Sequence, residues 1–123
     1  MLRITVEERR ARLGMRHRLA AGAQIDDPVA IADAVVALHG TDPASVFLSA
    51  AARMVTPSVA LLERALYDDR RLVRTLCMRR TMFVLPVAMV PVVQAACTDA
   101  LVPGERRRTL GMIEEAGVPD ADR

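Results

Sequence analysis

The segment Leu62–Pro86 reads LERALYDDRRLVRTLCMRRTMFVLP, and its two halves obey different periodicities. Leu62 and Leu66 recur at helical spacing and the pattern stops near Asp68 and Asp69. Beyond them, Leu72–Cys77 and Thr81–Leu85 are short runs containing Val, Thr and Phe, separated by Met78-Arg79-Arg80. Such runs predict two strands joined by a turn, although no Asn-Gly or Asp-Gly marks it. Five arginines, Arg70, Arg71, Arg74, Arg79 and Arg80, lie in this stretch with no acid among them. Like charges so gathered repel one another, and an anionic partner relieves that cost. The guanidinium fork matches a phosphate with two hydrogen bonds at once, so the pattern predicts a helix and a basic hairpin that meet a nucleic-acid backbone.

Outward from this segment the chain is helical. Thr5 and Glu8 have capping-box spacing, with Val6 and Leu13 on one face, which predicts a first helix to about Ala20. Its other faces carry Arg9, Arg10, Arg12, Arg16 and Arg18, a solvated basic surface. Gly22 to Asp27 reads as a linker. Asp27-Pro28 then opens a second helix, in which Ile31, Val35 and Leu38 repeat toward His39 and Gly40. Asp42 caps a third helix at once, with Phe47, Ala51 and Met54 as its buried stripe. Two short helices joined by a glycine-containing turn predict a helix-turn-helix. Pro86 opens a further helix to about Asp99, Val102 to Glu105 reads as a break, and a last helix covers roughly Arg106 to Ala116 before Gly117 stops it. The expected fold is mainly α with a small β-hairpin (α+β), a winged helix-turn-helix, with residues 1–100 as the DNA-binding domain and 101–123 as a C-terminal helix.

Composition bounds the function. With 123 residues, 52% of them hydrophobic, the chain can bury one core. The formal charge of +2 conceals segregation. Residues 1–19 hold six Arg against two Glu and residues 20–69 two Arg against seven acids. Residues 70–84 then hold five Arg and no acid, and residues 85–123 four Arg against six acids. Cys77 and Cys97 are too few and too separated for a disulfide framework or a metal site. The charged N-terminus is no signal peptide, and the apolar run from Met82 to Val93 is shorter than the roughly 20 residues that cross a bilayer. A cytoplasmic protein with no membrane partner, no metal and no cofactor is expected. One Tyr, two Phe and no Trp leave few rings for stacking on single strands, so double-stranded DNA is the expected partner.

The ordered pair of segments VALHGTDPASVFLSAAARM (Val36 to Met54) and Leu62 to Pro86 resembles the N-terminal part of the AlkZ-like family of winged-helix DNA-binding proteins and DNA glycosylases. The resemblance covers most of residues 5–100. It implies a DNA-repair hydrolase that excises alkylated purines or unhooks interstrand crosslinks. It also implies a longer architecture, with tandem winged helices and a β-barrel, of which this chain is a fragment. Active relatives carry, at the end of the second helix, a glutamine, an intervening residue and a second glutamine or an aspartate, often followed by Asp-Pro. The same place here reads His39-Gly40-Thr41-Asp42-Pro43, so the resemblance puts His39 and Thr41 on the two catalytic positions. Two further departures stand in the hairpin: the family usually has glycine at the place of Arg80 and often histidine at the place of Phe83.

Cleaving an N-glycosidic bond calls for polar groups that hold a water beneath the sugar C1′ and stabilise an oxocarbenium-like transition state. A neutral imidazole can orient that water, and Thr41 can accept or donate one hydrogen bond. The plainer alternative makes His39 a helix C-terminal residue favoured by the dipole, with Thr41 and Asp42 as cap residues. On that alternative the chain is a non-catalytic DNA-binding module, a regulator or a remnant of a larger protein.

Overall fold

A computed structural model describes residues 3–118. The protein is an α+β fold of six α-helices, two short 3-10 turns (Met78–Arg80 and Val87–Met89) and one three-stranded antiparallel sheet among those residues. The helices are α1 (Val6–Arg16), α2 (Pro28–Ala34), α3 (Pro43–Ala51), α4 (Val59–Glu63, extended by a π turn over Arg64–Asp68), α5 (Val90–Val93, extended by a π turn over Gln94–Thr98) and α6 (Val102–Glu115). The strands are β1 (Leu38–His39), β2 (Leu72–Leu76) and β3 (Met82–Pro86), in spatial order β1-β3-β2.

The helix starts follow the sequence closely. Thr5 accepts from the Glu8 amide at 3.1 Å, Asp27 from those of Val29 and Ala30, Asp42 from that of Ala44 at 3.0 Å, and Ser58 from that of Leu61. Each cap satisfies donors that a first turn leaves without a partner. The ends diverge more. Helix α1 stops at Arg16, and Arg18 turns into the left-handed region at φ 60°. Its apolar stripe, Val6 and Leu13, stays exposed, and no residue of the helix is buried.

Helix α2 does not run to His39 and Gly40. It ends at Ala34, and the chain reverses through Val36 at φ 72°. Leu38 and His39 then pair with Val84 and Phe83 of the central strand. A β-branched residue in that region costs on the order of 1–3 kcal/mol, which the strand pairing and the complete burial of Leu38 offset. A strand therefore separates the two helices expected to form the helix-turn-helix. The pair joined by a short turn is α3 and α4, and that turn is sewn to the segment before α2. Ile25 donates to the Arg53 carbonyl at 3.1 Å, and Asp26 accepts from the Thr56 amide at 2.9 Å.

The buried residues of α3 are Val46 and Ala50, one position around the helix from the expected Phe47 and Ala51, which are half-buried, while Met54 is buried as expected but lies past the helix end. With Ile31, Leu38, Leu62, Leu72 and Val84 they form the core, which lies wholly between Ala23 and Leu85. Helices α1, α5 and α6 bury no residue. The break before the last helix falls at 99–101 rather than at Val102 to Glu105, because Pro103 is accommodated in the first turn of α6, where its missing N–H is not needed.

The expected hairpin forms, with β2 and β3 in register from Leu72↔Pro86 to Leu76↔Met82. Its turn places both Arg79 (φ 52°) and Arg80 (φ 62°) in the left-handed region, the conformation for which glycine carries no Cβ penalty. Behind the turn, burial and then the nearby Cys97 thiol push the Cys77 thiol above its ordinary pKa.

Arg79→Gly should raise stability by roughly 0.5–1 kcal/mol in urea unfolding, since the left-handed cost exceeds the extra chain entropy of glycine. The raised Cys77 pKa sets a sign with pH. Stability is full below the unfolded thiol value of about 8.5 and declines as pH rises through it toward the folded value. Unfolding curves at pH 7 and pH 10 should show a smaller loss for Cys77→Ala than for the unaltered chain.

Candidate nucleic-acid interface and the His39–Pro43 loop

His39, Gly40, Thr41 and Asp42 form the loop that leaves β1 and enters α3. Local chemistry shapes it from both ends. Pro43 at the first helical position and Asp42 as N-cap fix where α3 begins. Gly40 is buried against β3: its amide donates to the Met82 carbonyl at 2.8 Å, and a Cβ there would meet the backbone and side chain of Phe83 and Val84 at 3.4 Å. A methyl at Gly40 would sit in contact with the central strand. The Ser45 hydroxyl lies within reach of two loop carbonyls, Asp42 at 2.6 Å and His39 at 3.2 Å.

His39 and Thr41 flank Gly40 and are both exposed. His39 therefore occupies a strand, not a helix C-terminus, and the dipole account of it does not apply. Its imidazole stands edge-on to Phe83, with ring centroids 5.4 Å apart and planes at 76°. This T-shaped arrangement follows from the cross-strand pairing His39↔Phe83. Next to the loop, a cleft of about 330 Å³ opens between α3, the end of α4 and β2, with Pro43, Phe47, Leu66, Tyr67, Val73 and Arg74 on its walls.

The five arginines of the hairpin do not make one patch. Arg70 and Arg71 precede β2, whereas Arg79 and Arg80 sit on the turn at its far end, on the order of 15–20 Å away along an extended strand. Arg70, Arg71 and Arg79 are exposed, and their side chains make no hydrogen bond or ion pair with other described residues. Arg80 pairs with Glu105 of α6, which Arg108 also approaches at 3.7 Å. Arg74, expected among the phosphate ligands, aims its guanidinium at the main chain instead: Nε donates to the Gly40 carbonyl at 2.8 Å and Nη2 to that of Thr41 at 3.3 Å.

One more arginine has a structural role that the sequence does not signal. Arg53, at the end of α3, donates through Nε to the His17 carbonyl at 3.0 Å and through Nη1 to the Ser49 carbonyl at 2.7 Å. Burial lowers its pKa from the ordinary arginine value. It ties the end of α1 to α3, and an isolated basic residue in an alanine-rich stretch carries no local mark of such a tie.

The DNA glycosylase AlkZ-like family matches residues 32–123, and the chain belongs to that family. A DNA glycosylase-related role, in DNA repair and with DNA as partner, follows at that level. No curated protein and no solved structure matches the chain. Among the described residues, no single helix is long and apolar enough to cross a membrane.

Proposed function

We propose that the chain is a winged helix-turn-helix unit that grips duplex DNA and positions His39 and Thr41 to release an alkylated or crosslinked purine. The order α2-β1-α3-α4-β2-β3, with α3 and α4 joined by a turn and the β2–β3 turn as a wing, supports the first half. The observation that carries the second is the His39–Pro43 loop. Its main chain is held by Asp42, Ser45, Arg74 and the Met82 carbonyl while the side chains of His39 and Thr41 remain exposed.

In the proposed reaction His39 orients a water toward C1′. The water oxygen bonds to C1′, the glycosidic electron pair leaves with the cationic purine and neutralises it, and the imidazole takes the proton. Thr41 hydrogen-bonds the sugar or the water. Arg70, Arg71 and Arg79, whose side chains bond to no other described residue, pair with phosphates, and Arg80 joins them by exchanging Glu105 for the backbone. Residues 1–100 constitute the DNA-binding unit, α6 is the appended helix, whose expected extent past residue 118 lies outside the described residues, and the setting is the cytoplasm.

A second reading, a DNA-binding module without catalysis, is favoured by the Phe83 ring against His39, which occupies one side of the imidazole.

Methylated duplex DNA separates the two. On the first reading, His39→Ala should abolish release of N7-methylguanine and leave DNA affinity within about twofold. Equal, near-zero release by both proteins would leave the binding module. Replacing Arg70, Arg71 and Arg79 with Ala should flatten the dependence of log affinity on log salt by about 0.9 for each phosphate left unpaired. An unchanged slope would remove these arginines from the interface.

A further inference from the structure

Arg74 is exposed, yet it lies on the face of β2 that also carries the buried Leu72. Leu72, Arg74 and Leu76 alternate onto one face of β2, and the register Arg74↔Val84↔Leu38 places Arg74 in line with two buried residues across the sheet. From there its side chain passes the central strand and reaches the loop beyond β1.

That loop has carbonyls to satisfy. The β1–β3 ladder closes with the Gly40 amide on Met82, so the carbonyls of Gly40 and Thr41 lie past the last rung. A guanidinium meets such a need in a way that an ammonium does not. Its Nε and Nη2 donors are held in one rigid plane at a fixed separation, so two successive carbonyls bound to it lose their freedom relative to each other. The two peptides concerned join Gly40 to Thr41 and Thr41 to Asp42, one residue beyond His39.

We propose that Arg74 is a positioning residue: it braces the Gly40 and Thr41 carbonyls from across the sheet, and so sets the relative placement of His39 and Thr41, without touching DNA. The proposal deepens the glycosylase reading, on which its catalytic arm rests. A phosphate ligand and a brace differ in what their loss does. Losing the ligand removes one charge from the interface and lowers the salt slope. Losing the brace loosens the loop and leaves the slope alone.

The test uses Arg74→Met, which keeps the aliphatic stem and removes every donor, together with Arg74→Lys, which keeps the charge. In hydrogen exchange of the whole chain, both variants should speed exchange of the Gly40, Ala44 and Ser45 amides at least tenfold relative to the rest of the core. Both should leave the salt slope for duplex DNA unchanged. If the unaltered chain releases N7-methylguanine, both should lower kcat about tenfold with KM unaffected. A slope lowered by about 0.9 in Arg74→Met but not in Arg74→Lys would make Arg74 a phosphate ligand and overturn the proposal. Unchanged exchange at those amides would overturn it as well. Should Arg74→Met fail to fold, exchange in Arg74→Lys decides alone, since one ammonium cannot span both carbonyls in a fixed plane. A chain without glycosylase activity would end the catalytic reading while leaving the exchange result to judge the brace.

Discussion

The pairing of Leu38 and His39 with Val84 and Phe83 is the interaction on which the remaining arrangement depends. It spans two residues, yet it ends α2 early, drives Val36 into a strained conformation and makes β3 the centre of the sheet. It also carries Leu38 into the core and turns His39 out of it. Once β1 is in place, Gly40 must lie flat against β3, and the chain has three residues in which to reach the capped start of α3. The loop is tight because both of its ends are held.

Charge is organised differently from its appearance along the chain. The arginines between Arg70 and Arg80 look like one block in sequence, but an extended strand spreads them and its alternation sorts them. All five are exposed, but Arg74 donates to main-chain oxygens, Arg80 pairs with a carboxylate of α6, and the side chains of Arg70, Arg71 and Arg79 bond to no other described residue. An exposed ion pair such as Arg80–Glu105 is worth little on its own, about 0–1 kcal/mol, so exchanging Glu105 for a phosphate costs little. The hydrogen bonds of Arg74 satisfy carbonyls that the sheet does not, and bonds from a charged donor contribute roughly 1.5–3 kcal/mol.

The elements outside the core have a common character. Helix α1 is joined to the core through Arg53 and its own C-terminal turn, and α5 and α6 through the Thr98 hydroxyl on the Leu76 carbonyl at 2.7 Å and the Glu105 pair. None of them contributes a fully buried residue to the core. Such segments open at lower free energy than the core.

Much of this is legible in the sequence because it rests on interactions between near neighbours. Caps at Thr5, Asp27 and Asp42, the α4 helix, the hairpin and its turn, and the family resemblance all depend on residues a few positions apart, whose spacing is visible in one dimension. The β1 strand is not, because Leu38 continues the helical spacing of Ile31 and Val35; only a partner strand more than 40 residues away makes extension the better use of those two residues. The stripe of α3 shifts by one position from its sequence expectation for a related reason: Val46 and Phe47 are both apolar, and only the packing partners choose between them. The role of Arg74 belongs wholly to the tertiary structure, since a basic residue among basic residues gives no sign that two carbonyls from across the sheet lie within its reach.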